Sequence, residues 1–428
     1  MALRPNGERN RGRRCADMAD QRTKPLLGYK VIELSTFVAA PSCGRLLRDW
    51  GADVIKVESG KGDAWRYHGS THRVTSTEEE NPMFDLVNAG KKSVVVDLKS
   101  AEGKAVLYDL LSDADIFLTN TRAKSLRKLG LDYESLKERF PKLIYASVTG
   151  FGEEGPETDK PGFDLVAYWG NSGFLNDLSI DTGTSYPILA PTGIGDVTCG
   201  TALFGGICAA LLGRERTGKG DYVTISLFGG AIWIMSFMYL RAQQRYGDPF
   251  PKHREETPPL TAPYRCKDGE WLMLSILEYE RYFPALCKVL GVPELAEDPR
   301  FANKKAADQH RGELIRALEE RFIREDFAYW NKALNESDIV NDRLRHFKDI
   351  VDSEQAWVNH YLTKVEFPDG GECVMPRPAV QSRGMGVPEL ERGPLLGADT
   401  PEVLSERLGY SEEKIKALLE SGAVQQHP

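Results

Sequence analysis

The sequence predicts an α/β fold whose main sheet is parallel and covered by helices on both faces. Two observations predict it. From Tyr29 onward, short β-rich runs alternate with helical stretches. The strand runs are themselves apolar, as in a parallel sheet covered on both faces. In order, "YKVIEL" reads as the first strand and "PSCGRLLRDWG" as a helix with Pro41 in its first turn. "DVIKVE" and "SVVVDL" follow as strands, then the amphipathic helix "AEGKAVLYDLLSDA". "DIFLTN" is a strand, "YESLKERF" a helix and "LIYASV" a strand. In such sheets ligands sit at the loops after the strand C-termini. That rule points to Thr36–Ala40, Glu58–Gly62, Asn120–Ala123 and Thr149–Gly152.

Beyond Gly200 the sequence gives a helix rich in Ala, Gly and Leu, the strand "DYVTISL", and a long apolar helix from about Gly229 to Arg245. The proline-rich, charged "FPKHREETPPL" is a loop. "APYRCKDGEWLMLSI" is a hairpin turning at Asp268-Gly269, and helical patterns follow to about residue 335. "FPDGGECVMPRPAVQS" is β-like, and "SEEKIKALLESG" is a capped helix ending at Gly422.

Composition narrows the function. Hydrophobic residues are 41% and charged residues 28% of 428, an ordinary globular balance with length for more than one domain. The net charge of −8 offers no basic footprint for nucleic acid and no attraction to an anionic membrane. No apolar run reaches the ~20 residues that cross a bilayer. Residues 1–24 are basic and polar and are expected to be a disordered tail, with Met18 a second possible start. The cysteines at 15, 43, 199, 208, 266, 287 and 373 form no CxxC pair, which fits a reducing cytoplasm and neither a zinc ribbon nor a disulfide framework.

Several motifs fail on context. "GRERTGKGD" lacks the Ser or Thr that would hold Mg²⁺, and it follows a helix and opens a strand, the reverse of a phosphate loop. Gly193, Gly195 and Gly200 miss the dinucleotide spacing. His68 and His72 have no third ligand nearby, so no metal site is expected. What is left is Asp196, in "ILAPTGIGDVTCGTALFGG". One reading makes it the cap of the helix that follows. The same position suits a nucleophile: the helix start favours the ionised carboxylate, and Gly193 and Gly195 leave backbone N–H groups able to face an oxyanion. Residue chemistry alone leaves both readings open.

Longer segments carry a resemblance. "LLGYKVIELSTFVAAPSCGRLLRDWGADVIKVESGKGDAWR", "VNAGKKSVVVDLKSAEGKAVLYDLLSDADIFLTN", "LRKLGLDYESLKERFPKLIYASVTGFGEEGP", "ERTGKGDYVTISLF" and "RGPLLGADTPEVLSERLGYSEEKIKAL" resemble the class III CoA-transferases, from about Pro25 to Leu419. "REETPPL" and "DSEQAWVNHYL" are similar to the branch that acts on 2-hydroxy acids, such as aryl-lactates and 2-hydroxyisocaproate. The resemblance implies a Rossmann-like large domain built from both chain ends, a small α+β domain from the middle, and an interlocked homodimer. On this sequence it implies a tail over 1–24, large-domain stretches over 25–227 and 329–428, a linker helix over 228–250 and a small domain over 251–328.

It also implies chemistry. Asp196 matches the family's catalytic aspartate, which forms an acyl anhydride and then a CoA thioester. Coenzyme A thioesters and carboxylic acids are the implied substrates, with no tightly bound cofactor. Thr36, Phe37, Val38, Ala39, Lys91, Asn120, Lys128, Thr149 and Phe151 match positions along the family's CoA groove. Ser59, Thr149 and Lys128 depart from the residues of formyl-CoA transferase, and that enzyme's glycine-rich lid is absent. α-Methylacyl-CoA racemases share the fold, but they place a proton-accepting histidine where this chain has Phe163. A CoA-binding protein without catalysis is a third reading. Phe37, Phe151, Phe163, Tyr168 and Trp169 are candidates for an acyl pocket, or equally for plain core packing.

Overall fold

A computed structural model describes residues 24–178, 189–247, 253–387 and 390–428. The tail expected over 1–24 lies outside these apart from Lys24. Seven strands form the main sheet, in the order β12-β3-β2-β1-β4-β5-β6. They are β1 (Lys30–Leu34), β2 (Asp53–Glu58), β3 (Lys92–Val96), β4 (Ile116–Thr119), β5 (Ile144–Thr149), β6 (Tyr222–Ser226) and β12 (Val424–Gln425). All pairings are parallel except β12 with β3, where Val424 faces Val96. The parallel sheet read from the sequence is therefore present. β1 to β5 are buried almost throughout, as strands covered on both faces must be.

Helix α1 (Ala39–Asp49) follows β1, and α2 (Ala101–Ser112) follows β3. Ser100 caps α2 by accepting the Gly103 N–H. Val106, Leu107, Leu110 and Leu111 of α2 pack under the sheet with Ile32, Ile55 and Phe117. Each such side chain contributes about 1.5–3 kcal/mol by leaving water. Helix α3 (Ala123–Leu129) follows β4. Helix α4 (Ile194–Thr217) is 24 residues long and packs on α1, β5 and β6. It departs from the sequence expectation about apolar runs: with a mean hydropathy of 1.5 it is long and apolar enough to cross a bilayer. Cys199, Leu203, Ile207 and Leu211 bury one side of it in the protein core. The phosphate-loop lookalike is the turn from α4 into β6, with Gly218 at φ 68°.

The single apolar helix expected from Gly229 to Arg245 is two helices, α5 (Leu227–Ile234) and α6 (Ser236–Arg241). Met235 leaves helical geometry between them (φ −98°, ψ 22°), and the Ser236 hydroxyl donates back to the Trp233 carbonyl. Back-bonding of this kind bends helices.

The chain divides into two compact units. One takes the described residues up to Gly173, then Ala190–Ser236 and everything from Glu354. It also holds the hairpin of β10 (Leu362–Glu366) and β11 (Glu372–Pro376); the sequence reads as β over β11, and β10 precedes that run. The other takes the described residues of Phe174–Leu189 and Phe237–Ser353. Its sheet pairs β7 (Pro263–Arg265), β8 (Trp271–Leu274) and β9 (Asn341–Arg343), so it takes in residues beyond 328. The β7–β8 hairpin turns where expected, with Gly269 at φ 86°.

Candidate active site

Asp196 is not an N-cap. Helix α4 is capped at Gly193, in the left-handed region (φ 90°), and Asp196 is the third residue inside the helix. The capping carboxylate comes from elsewhere in the chain. Gly193 donates its N–H to Asp164 Oδ2 at 2.7 Å. Asp164 opens a short π-helical segment, Asp164–Gly170, and is 3% exposed. The amides of Gly195 and Asp196 also bear on Asp164, although its Oδ1 meets no donor at hydrogen-bond geometry. A side chain on Gly195 would overlap Asp164 Oδ1 and the Tyr168 ring, so only glycine fits there.

Two carboxylates are thus side by side. Burial, and then the charge of Asp164, push Asp196 up to about 7. No hydrogen bond from a described residue holds it down. Burial also raises Asp164, against the amides of Gly193, Gly195 and Asp196 and the Trp169 side chain, which pull it back. Cys199, one turn on, is pushed up to about 12 by burial and by both carboxylates, so its thiol stays protonated.

Close contacts gather four pieces of backbone around Asp196. A Cβ on Gly200 would lie 2.5 Å from the Ala39 carbonyl oxygen, so the start of α4 sits directly on the start of α1. The Phe37 ring, just before α1, meets Phe163 edge-on with centroids 5.3 Å apart. Phe163 adjoins Asp164. A Cβ on Gly162 would lie 2.6 Å from Gly150 Cα and 3.2 Å from the Phe151 ring, which brings in the loop after β5. The ends of β1, β4 and β5 are neighbours, because those strands pair in parallel. Among the described residues no His, Cys, Asp and Glu group could hold a metal ion. Neither the cavity lined by Arg66, Asn81 and Arg392 nor that lined by Trp50, His360 and Arg377 includes Asp196.

This geometry, a carboxylate in the first turn of a helix among loops at the C-terminal edge of a parallel sheet, can be compared with known proteins. The model of CoA-transferase family III matches residues 26–400. The chain belongs to CoA-transferase family III. It is 40% identical to the (R)-2-hydroxy-4-methylpentanoate CoA-transferase of Clostridioides difficile, covering 93% of this chain and 99% of that protein. It is 38% identical to the cinnamoyl-CoA:phenyllactate CoA-transferase of Clostridium sporogenes, over 93% and 97% of the two chains. A CaiB/BaiF family protein from Brucella suis has a similar structure, with TM-score 0.74, 29% identity, and coverage of 90% of this chain and 99% of that one.

In this CoA-transferase the residues that the resemblance assigns to CoA fall into three groups. Thr36, Asn120, Thr149 and Phe151 lie at or near the strand ends, Lys128 lies in the last turn of α3, and all five are at least partly exposed. Asn120 clamps the loop after β1: its Oδ1 accepts the Thr36 N–H (3.0 Å) and its Nδ2 donates to the Thr36 carbonyl (2.7 Å). Thr149 Oγ1 accepts the Gly152 N–H at 3.1 Å. Phe37, in the same loop as Thr36, has φ 63°, a left-handed backbone that costs a non-glycine residue about 1–2 kcal/mol. Asp63 Oδ1 holds it there by accepting the Phe37 N–H at 3.0 Å.

Val38 and Ala39 form the second group. Their side chains are buried, Val38 against Trp65, Phe84 and Val87, so only their backbone is left to face a ligand. Lys91 stands alone as a correction. Its side chain is fully buried, and its ammonium pairs with Glu33 (2.8 Å) and donates to the Pro41 carbonyl (2.9 Å) and Asn88 Oδ1 (2.9 Å). All three donors are spent under α1, so none faces a ligand. Burial lowers it to about 8. Glu33 also meets Lys56 (3.2 Å), and Lys56 pairs with Asp63 (3.0 Å). Burial works against the Lys56 charge, but Asp63 and Glu33 hold its ammonium above the usual lysine range.

Gly193 is the other correction. Its N–H is committed to Asp164, so it is not a spare donor for an oxyanion, and Gly195 is buried against the same carboxylate. Of the aromatic candidates, Tyr168 and Trp169 are core residues and Phe163 is 55% exposed. Sequence reasoning gave Asp164 and Asp63 no role. Nothing local to either residue marks it; each matters through a contact distant in sequence.

Proposed function

We propose that this enzyme moves CoA from an acyl-CoA to a carboxylic acid, a 2-hydroxy acid or an aryl or branched acid, through covalent intermediates on Asp196. A carboxylate oxygen of Asp196 bonds to the donor's acyl carbon, the C–S bond breaks, and CoA leaves as thiolate. The thiolate attacks the Asp196 carbonyl of the resulting anhydride and expels the donor acid. The acceptor carboxylate attacks that aspartyl thioester and again releases thiolate. Thiolate then takes the acceptor's acyl group and frees Asp196. Each thioester or anhydride keeps the acyl group activated, so no nucleotide is consumed, and water must be kept from the intermediates.

The observation that carries this reading is the Asp196 carboxylate, partly buried, without a hydrogen-bond donor among the described residues, beside Asp164, whose neighbours Phe163 and Gly162 touch the loops after β1 and β5. The acceptor class rests on the two hydroxy-acid relatives and on the Phe37–Phe163 edge beside the carboxylates. Thr36, Phe37, Asn120, Lys128, Thr149 and Phe151 are the CoA contacts we propose, with Val38 and Ala39 contributing backbone. Incubation with cinnamoyl-CoA and hydroxylamine should inactivate the enzyme and leave a hydroxamate on the peptide that carries Asp196. D196N should lose at least ~10³-fold of turnover. Unchanged turnover in D196N would sink the proposal, and a mere CoA binder would form no hydroxamate. A panel of acyl-CoAs against carboxylates tests the acceptor, and preference for oxalate or succinate would overturn the hydroxy-acid class.

Phe163 cannot shuttle a proton, which disfavours racemisation. α-Proton exchange in deuterated water should accordingly be negligible. We also propose an interlocked homodimer. Trp233 is 77% exposed, its neighbours Ile232 and Ile234 are exposed with it, and Leu212 on α4 is exposed too, apolar side chains that a second copy would cover. The six described cysteines are free thiols, in keeping with the cytoplasmic location we propose.

A further inference from the structure

We propose that Asp164 is a positioning residue for Asp196: its carboxylate closes the turn that opens α4 and sets a second negative charge beside the nucleophile. This rests on the reading of Asp196 as the nucleophile.

Three observations carry it. First, Asp164 reaches across from its own segment to take the Gly193 N–H at 2.7 Å, which fixes the left-handed residue at which α4 begins. Second, the approach is built into the sequence on both sides, since Gly195 has no side chain where Asp164 Oδ1 and Tyr168 lie. Third, a cap needs no charge there. Serine or asparagine caps as well as aspartate does. Asp164 is nonetheless a carboxylate, buried, with the amides of Gly193, Gly195 and Asp196 and the Trp169 side chain bearing on it. Those donors favour its charged form at the start of α4. A negative charge is thus kept beside Asp196, which a neutral cap would not supply.

The chemistry gives that charge a task. Two neighbouring carboxylates repel, and acylation of Asp196 removes one of the two charges. As Oδ bonds to the acyl carbon and the C–S electron pair leaves on sulfur, negative charge moves away from Asp164. The repulsion of the resting state is thus relieved along the reaction path. Asp164 itself exchanges no atom. The same charge makes Asp196 more basic. The titratable neighbours of Asp196 are Cys199 on α4 and Asp164 and Tyr168 on the adjoining segment; α1 brings Ala39 and Ser42, and α5 brings no ionisable residue. Burial pushes the Cys199 thiol and the Tyr168 phenol up, so both are uncharged near neutrality. Asp164 is the charged neighbour among the described residues.

The test compares D164N and D164A with the unaltered enzyme, using cinnamoyl-CoA and phenyllactate. D164N keeps an oxygen for the Gly193 N–H and drops the charge. The acid limb of its kcat/KM profile should move down by about one pH unit, and its plateau kcat should fall ~10-fold, with melting temperature nearly unchanged. D164A, which also loses the cap, should fall ~100-fold or more and melt lower. If D164N fails to fold, D164S, a neutral cap, takes its place. An acid limb that coincides with that of the unaltered enzyme, at unchanged kcat, overturns the inference. D196N is run in parallel. Turnover surviving in D196N defeats the nucleophile assignment itself; a dead D196N with an unmoved D164N limb defeats only the role given to Asp164.

Discussion

At the scale of single residues, the cost of Asp196 is readable in pH. Its carboxyl is raised from the ordinary 3.8 to about 7 in the folded protein. Between those values the folded chain holds a proton that the unfolded chain has released, so stability falls as pH rises and the loss is complete above about pH 7. Asparagine at 196 carries no such burden. D196N should therefore melt higher than the unaltered enzyme at pH 8, by on the order of 1 kcal/mol or ~2 °C, with the gap closing near pH 4. Calorimetry at the two pH values checks it, and a gap that grows toward acid would contradict the assignment. Asp196 stood out in the sequence because glycines and a small-residue helix flank it, but the residues left cap and nucleophile both open; the structure removes the cap, and the nucleophile is our proposal. Lys91 was misplaced because a lysine in a loop says nothing of how deeply it is buried. Asp164 escaped because its partner, Gly193, belongs to another segment.

At the scale of elements, the site depends on α4 lying hard against α1. Gly200 allows this, since a Cβ there would sit 2.5 Å from the Ala39 carbonyl oxygen and overlap Ser42 Oγ. G200V should force the helices apart, destabilise the protein by about 1–3 kcal/mol, and lower activity by displacing Asp196. Urea unfolding and turnover measure the two effects. A stable variant with full activity would show that the contact is not needed. Strands β1 to β6, the β7–β8 hairpin and the helix-to-strand turn at Gly218 were legible, because each is written locally in apolar runs and turn residues, whereas the short β9, β10 and β12 were not. The break at Met235 was not. The apolar run continues through it, and the interruption comes from one hydroxyl turning back on the helix.

At the scale of the whole molecule, the parallel sheet was legible from alternation alone, whereas the apolar side chains that α4 and α5 leave exposed were not. The exposed Trp233, Leu212 and Ile234 predict self-association. Sedimentation should give a dimer, and W233E should shift it toward monomer; a monomeric native protein would oppose the assembly we propose. The ionic cluster beneath the loop after β1 carries one more implication. Asp63 and Asn120, anchored in distant parts of the chain, hold that loop in a backbone shape its own residues resist. The loop is therefore not portable. A graft of residues 36–39 into another scaffold would bring the letters without the tethers, and it would relax to an ordinary turn.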